Sequence, residues 1–292
     1  MNVGILYMIL PIVIRPFTQV MLARSSRSIG SIKTTIFRQL SIFIVWFPIL
    51  IIYGIPEWSS ISLSLHNIIF SSFFGSIMIL SAMYGTTLLP IMASRIVMDA
   101  TRVTLAVLFW YFLLWEHISY YDVGWIILLA VWFYLFWLKN IDVSHLHSKN
   151  TQRGIALWVM NGFLFTFNMY FFRKYSLAMS PILAWYILEV MNWVFVFIYG
   201  SYFSYTHEYN HFEIKKSQFL HIFWLSPLLL LAVYGLSKAN QSVPFYVSNM
   251  SFVFMLFTSM LFSHIYLGEK LPKKQLFPLS LIVIGLLSII LI

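Results

Sequence analysis

Six charged side chains stand within long apolar runs of this chain: Arg15, Arg38, Arg95, Asp99, Arg102 and Glu189. An arginine presents a planar fork of donors that matches a carboxylate or a phosphate. A carboxyl among apolar groups can balance such a fork or take up a proton, since burial favours its neutral form and a nearby guanidinium its ionised form. A charge at mid-membrane costs about 2.5–3.5 kcal/mol on insertion scales, so six of them facing lipid would cost on the order of 15–20 kcal/mol. They are therefore expected to face the interior of a helix bundle.

Each has a structural alternative. Arg15 is bracketed by Pro11 and Pro16, which each remove a backbone donor and predict a broken first span around a central arginine. Otherwise the prolines only kink the helix, and Arg15 ties it to an acid. Arg95, Asp99 and Arg102 fall at i, i+4 and i+7 on one helical face, where they either line a site or pair as a ladder of ions. Glu189 is in register with Gln39, the neighbour of Arg38, so both proton carriage and a structural Glu–Arg pair are open. Gln19, Asn161, Asn168, Asn192 and Asn249 add amides, which line the same cavity or bridge helices at about 0.6 kcal/mol each. The expected substrate-binding set is Arg15, Gln19, Arg38, Arg95, Asp99, Asn168, Glu189, Asn192 and Asn249. Trp158 and Trp185 are candidate walls for an apolar or cationic group.

The elements that must position these groups follow from composition. Only 9% of the 292 residues are charged and 61% are hydrophobic, with mean hydropathy +0.85. A soluble domain carries about 25% charged residues, so this chain is expected to be an all-α, polytopic membrane protein. The run from Val3 to Leu22 has no basic leader or small-residue cleavage site and reads as a first span. The absence of cysteine excludes disulfides, thiolate catalysis and Cys-ligated metal. The net charge of +9 sits largely in short loops, where it orients a membrane protein and does not point to nucleic acid. His145, His147 and Asp142 lack a metal-ligand spacing, and no phosphate-binding glycine loop is present. No metal, no cofactor and no direct ATP drive are expected.

Apolar runs predict ten spans, near 3–22, 37–55, 67–86, 88–115, 122–139, 154–172, 181–203, 219–235, 241–266 and 275–292. The longest connections between them are Ala23–Ile36, Asn140–Arg153 and Ser204–Ser217. The chain also repeats itself. Gly4 matches Gly154, Arg24 matches Arg173, Tyr84-Gly85 matches Tyr234-Gly235, and Glu116 matches Glu269, at offsets of 150, 149, 150 and 153. Two halves, 1–150 and 151–292, each with an odd number of spans, must enter the membrane in opposite senses. That is an inverted repeat. Loops after odd-numbered spans carry eleven basic residues, against three after even-numbered ones, which puts the former in the cytoplasm and both termini outside. Glu116 and Glu269 lie at span ends, where a capping role is expected.

The closing stretch is Gly268-Glu269-Lys270-Leu271, then Gln275, then Gly285 in an apolar tail. With the five-plus-five plan, it resembles the EamA families of the drug/metabolite transporter superfamily. The copy at Glu116 has Trp115 where that pattern commonly has glycine, and Pro278 also stands at a frequent glycine position. The resemblance implies a bundle with a central cavity between the halves, export or uptake of small metabolites, and both termini in the cytoplasm, opposite to the charge count.

The expected function is secondary transport of a small organic metabolite, with an amino-acid-like anion or zwitterion favoured by the three arginines. Asp99 and Glu189 would balance charge or carry a coupled proton. The partners expected are the cargo and membrane lipid of a bacterial inner (plasma) membrane, with no nucleic acid. A monomer suffices, and a dimer is compatible with it. A flippase for a lipid or polyprenyl-linked headgroup is a second reading. A membrane enzyme or a non-transporting subunit is a third, which the spread of the charges over four spans disfavours.

Overall fold

A computed structural model describes residues 3–53, 58–109, 148–176, 179, 181–207, 212–242 and 254–269. All regular structure among them is helical. The helices are α1 (Val3–Ile29), α2 (Ser31–Tyr53), α3 (Trp58–Leu88), α4 (Ile91–Phe109), α5 (Lys149–Ser176), α6 (Pro181–His207), α7 (Lys216–Phe223), α8 (Ser226–Ser242) and α9 (Phe254–Leu267). Four stretches are long and apolar enough to cross a bilayer: Leu65–Leu88, Lys149–Phe172, Leu183–Thr206 and Lys216–Leu236. Their outer faces carry large apolar side chains, such as Ile198, Phe197, Phe70 and the 70%-exposed Trp224. Water would penalise such a surface and lipid would not. The chain is a helical membrane protein.

Local chemistry sets the helix ends. α1 and α2 are separated by Gly30 alone, whose φ of +94° suits a residue without a side chain. α7 and α8 would be one helix but for Pro227, which cannot donate to the carbonyl four residues back. The chain makes a turn at Trp224 and Leu225 and resumes as α8. The stretch Ala23–Ile36, expected as a loop, is helical on both sides of Gly30. Its polar groups are satisfied against the end of α3: the hydroxyls of Ser26 and Ser31 donate to the Met83 carbonyl at 3.0 and 3.2 Å, and Arg27 Nε donates to the Thr86 carbonyl at 3.0 Å.

The first span is not broken. α1 runs unbroken through Pro11 and Pro16, and groups from far along the chain meet the two carbonyls these prolines leave without a donor. The Thr258 hydroxyl of α9 donates to the Ile12 carbonyl at 2.7 Å, the acceptor freed by Pro16. Gly235 of α8 sits against the Tyr7 carbonyl, freed by Pro11, so closely that a Cβ there would lie 2.6 Å from the oxygen.

Packing partners are exchanged in a regular way. α1 lies along α8 and α9, α5 lies along α3 and α4, and α2 crosses α6. Gly235 seats α1, and Gly85 of α3 seats Trp158 of α5, where a Cβ would lie 2.5 Å from the indole nitrogen. The main apolar cluster joins α1, α2, α3, α5, α6, α8 and α9 around residues such as Ile42, Trp46, Phe165, Leu188, Val233 and Met255. The spans expected at 122–139 and 275–292, together with Glu116, fall outside the described residues.

Candidate functional site

A cavity of about 140 Å³ lies at the centre of the bundle. α1 contributes Arg15 and Gln19 to its wall, α2 contributes Arg38, α4 contributes Arg95 and Arg102, and α6 contributes Glu189. Asn161 and Trp158 of α5 complete the polar side, and Trp46, Phe165 and several methionines form the apolar remainder. Charges that the sequence scatters over four helices thus converge on one space, as the expense of leaving them in lipid requires.

The polar contacts fall into two kinds. In one, opposite charges meet directly: Arg102 Nη2 stands 3.1 Å from Asp99 Oδ1, with side chains 1% and 0% exposed. The Arg102 guanidinium also lies over the Phe165 ring, 5.0 Å from its centroid. Asp99 itself is behind the cavity wall. In the other kind, a neutral amide intervenes. Gln39 Nε2 donates to Glu189 Oε2 at 2.7 Å, and Gln39 Oε1 accepts from Arg38 Nη1. Arg95 Nη2 likewise donates to Gln19 Oε1. Arg15 is within electrostatic reach of Arg95, Glu189, Arg38 and Arg102, and its guanidinium lies 5.6 Å from the centroid of the Trp185 ring. The cation on Trp185 is therefore one of the protein's own.

Of the expected binding set, Arg15, Gln19, Arg38, Arg95 and Glu189 line the cavity. Asp99 stands one layer out, as the partner of Arg102. Asn168 and Asn192 are not on the wall. The Asn168 amide donates to the Ser71 carbonyl at 2.6 Å and to its hydroxyl at 3.2 Å, while Ser71 returns a bond to the Asn168 carbonyl. Asn192 and Asn168 both abut Gly75 on α3. Asn168 fastens α5 to α3, and Asn192 packs α6 against the same glycine. Asn249 lies outside the described residues.

Two features were not expected as parts of the site. Arg102, outside the expected binding set, is on the cavity wall while also pairing with Asp99. Gln39 is the residue that bonds Glu189, and the signal for it was the repeat itself, because the two residues are 150 positions apart. Glu269 sits at one end of the bundle. Its carboxylate accepts from the first free N–H of α4, Ile91 N, at 3.1 and 3.2 Å and pairs with Arg27 at 3.0 Å. A negative group at a helix N-terminus is electrostatically favourable.

No family model matches the sequence, and no curated protein is similar to it. Seven chains of solved structure are similar. One of them, a crystal structure of a protein, aligns over 96% of this chain and 94% of its own, with a TM-score of 0.68 and 14% identity. At that identity the likeness speaks for the fold, which is shared over nearly the whole length of both chains.

Proposed function

We propose that this chain is a secondary transporter that carries a compact organic anion or zwitterion across a bacterial inner membrane by alternating access. The observation that carries the reading is the central cavity, where arginines from α1, α2 and α4 face one glutamate from α6. Such a wall recognises carboxylate or phosphate at the depth where transporters hold their cargo. A channel would need a continuous wet path, and an enzyme would need a nucleophile beside a base.

The reading includes two inverted five-helix repeats, and three relations support it. α5 takes α3 and α4 as partners in the way that α1 takes α8 and α9. Gly85 and Gly235 each seat a helix of the other half. Gln39 and Glu189, at the repeat offset, meet where α2 crosses α6, as two positions near a pseudo-two-fold axis would. The closing Gly268-Glu269 stretch, which resembles the end of an EamA repeat, supports counting the chain among those families.

The test is counterflow of labelled glutamate, alanine and succinate into proteoliposomes holding the full chain. Arg15→Ala is expected to lower the flux at least tenfold. Flux equal to wild type would remove the cavity from the mechanism.

A further inference from the structure

Where α1 ends beside the start of α7, there is an open cleft of about 400 Å³. Its wall is built from segments far apart in the chain. Arg24, Ser28 and Ile29 come from the last turns of α1, and Ser217, Gln218 and His221 from the first turns of α7. Arg24, Ser28, Ser217 and His221 are all exposed, and no acid is among the lining residues. Arg27, one turn further along α1, is turned instead to Glu269 and the Thr86 carbonyl. Lys215 and Lys216 stand exposed beside the cleft and raise the positive potential around it.

The cleft lies at the border of the membrane. A stretch long and apolar enough to cross a bilayer begins at Lys216, so Ser217 and His221 stand at headgroup depth. Leu220 and Trp224 follow Ser217 at i+3 and i+7 on the same helix face, and they are 41% and 70% exposed. Seven residues of helix rise about 10 Å, which carries this apolar strip from the cleft into the hydrocarbon. The preference of loops for basic residues accounts for charge at this end, but it asks for neither a cleft nor an apolar strip below one. A free inorganic anion would use Arg24 and His221 and leave the strip unused. A zwitterionic lipid would bring its ammonium among cations, with no acid in the wall to receive it. We infer that the cleft binds the headgroup of an anionic glycerophospholipid. Its phosphodiester meets Arg24 and His221, the hydroxyls of a glycerol headgroup meet Ser28, Ser217 and Gln218, and an acyl chain follows Leu220 and Trp224. The inference does not depend on what the central cavity carries.

The test is native mass spectrometry of the purified full-length chain with equal amounts of phosphatidylglycerol and phosphatidylethanolamine bearing the same acyl chains. Wild type is expected to retain phosphatidylglycerol about fivefold or more over phosphatidylethanolamine. Arg24→Gln should bring that preference below about twofold. His221→Glu, which sets a negative charge in the cleft, should do the same if Arg24→Gln fails to fold. Lys149→Gln removes an exposed cation at the start of α5 and should leave the preference unchanged. Thermal-shift titration with inorganic phosphate and glycerol 3-phosphate separates the sources of the anion. Phosphatidylglycerol should raise the unfolding temperature at concentrations where neither soluble phosphate does. Equal retention of the two lipids by wild type, or an undiminished preference in both cleft variants, overturns the inference. So does an equal loss in Lys149→Gln, or equal protection by a soluble phosphate.

Discussion

Two oppositely charged constellations lie side by side in this bundle and are built differently. Asp99 and Arg102 are both on α4, both fully buried, and touch directly. Glu189 and Arg38 come from α6 and α2 and are held apart by Gln39. In the first arrangement each charge has its counter-charge 3.1 Å away. The second keeps charge in reserve, at the expense of burying it incompletely neutralised. Mere possession of charge therefore does not mark a binding group in a membrane interior. On the proposed reading, what marks it is a neighbour that orients the charge without cancelling it.

That contrast can be broken most forcefully at Asp99. Asp99→Asn leaves a buried guanidinium without its carboxylate, and breaking a buried pair costs about 3–5 kcal/mol. Thermal unfolding in detergent should show the loss, and the double change Asp99→Leu with Arg102→Met should recover most of it. No loss in Asp99→Asn would mean the pair holds nothing together.

A second probe concerns a contact that is wholly structural. Thr258→Val leaves the Ile12 carbonyl buried without a donor, at about 1–3 kcal/mol. Pro16→Ala restores a backbone N–H to the same carbonyl, so in that background the cost of Thr258→Val should nearly vanish. If the two changes simply add, the hydroxyl does not serve that acceptor.

Glu189→Gln belongs to the other constellation and should separate stability from function. The amide keeps an acceptor oxygen and the shape of the side chain, so the loss of stability should be smaller than that of Asp99→Asn. Glutamate counterflow should fall at least tenfold. A large stability loss would class Glu189 with Asp99.

The smallest perturbation tests sidedness. Ser25 is buried, with its hydroxyl on the Met21 carbonyl, whereas Ser28 is exposed. Ser28→Cys should leave the fold intact and react with a membrane-impermeant maleimide from one side only. Labelling from the cytoplasmic side would agree with the basic residues Arg24, Arg27 and Lys33, and labelling from outside with the orientation that the EamA resemblance implies.

Much of the site was legible because burial of charge is expensive. Arg15, Arg38, Arg95, Arg102 and Glu189 could be expected to converge before any geometry was known, and they do. The amides were not legible in this way. Gln19 and Asn168 stand 149 positions apart, an offset expected of a repeat, yet one bonds an arginine in the cavity and the other ties α5 to α3. An amide is at home in either place, and only its neighbours decide. The fold was legible as helices in a membrane. The polar stretch Ala23–Ile36 misled because its serines and arginines resemble a loop, when their partners are backbone carbonyls at the end of α3. The prolines of α1 misled for a related reason, since the groups that compensate for them lie more than two hundred residues further on.

Those prolines bear on how the protein is made. The Ile12 carbonyl leaves the ribosome 246 residues ahead of the threonine that will bond it, and Tyr7 waits almost as long for Gly235. An orphaned carbonyl in hydrocarbon costs several kcal/mol. Until α8 and α9 arrive, α1 is expected to rely on water, local helix adjustment or other protein to serve these carbonyls. A chain halted before Thr258 leaves the Ile12 carbonyl without that donor.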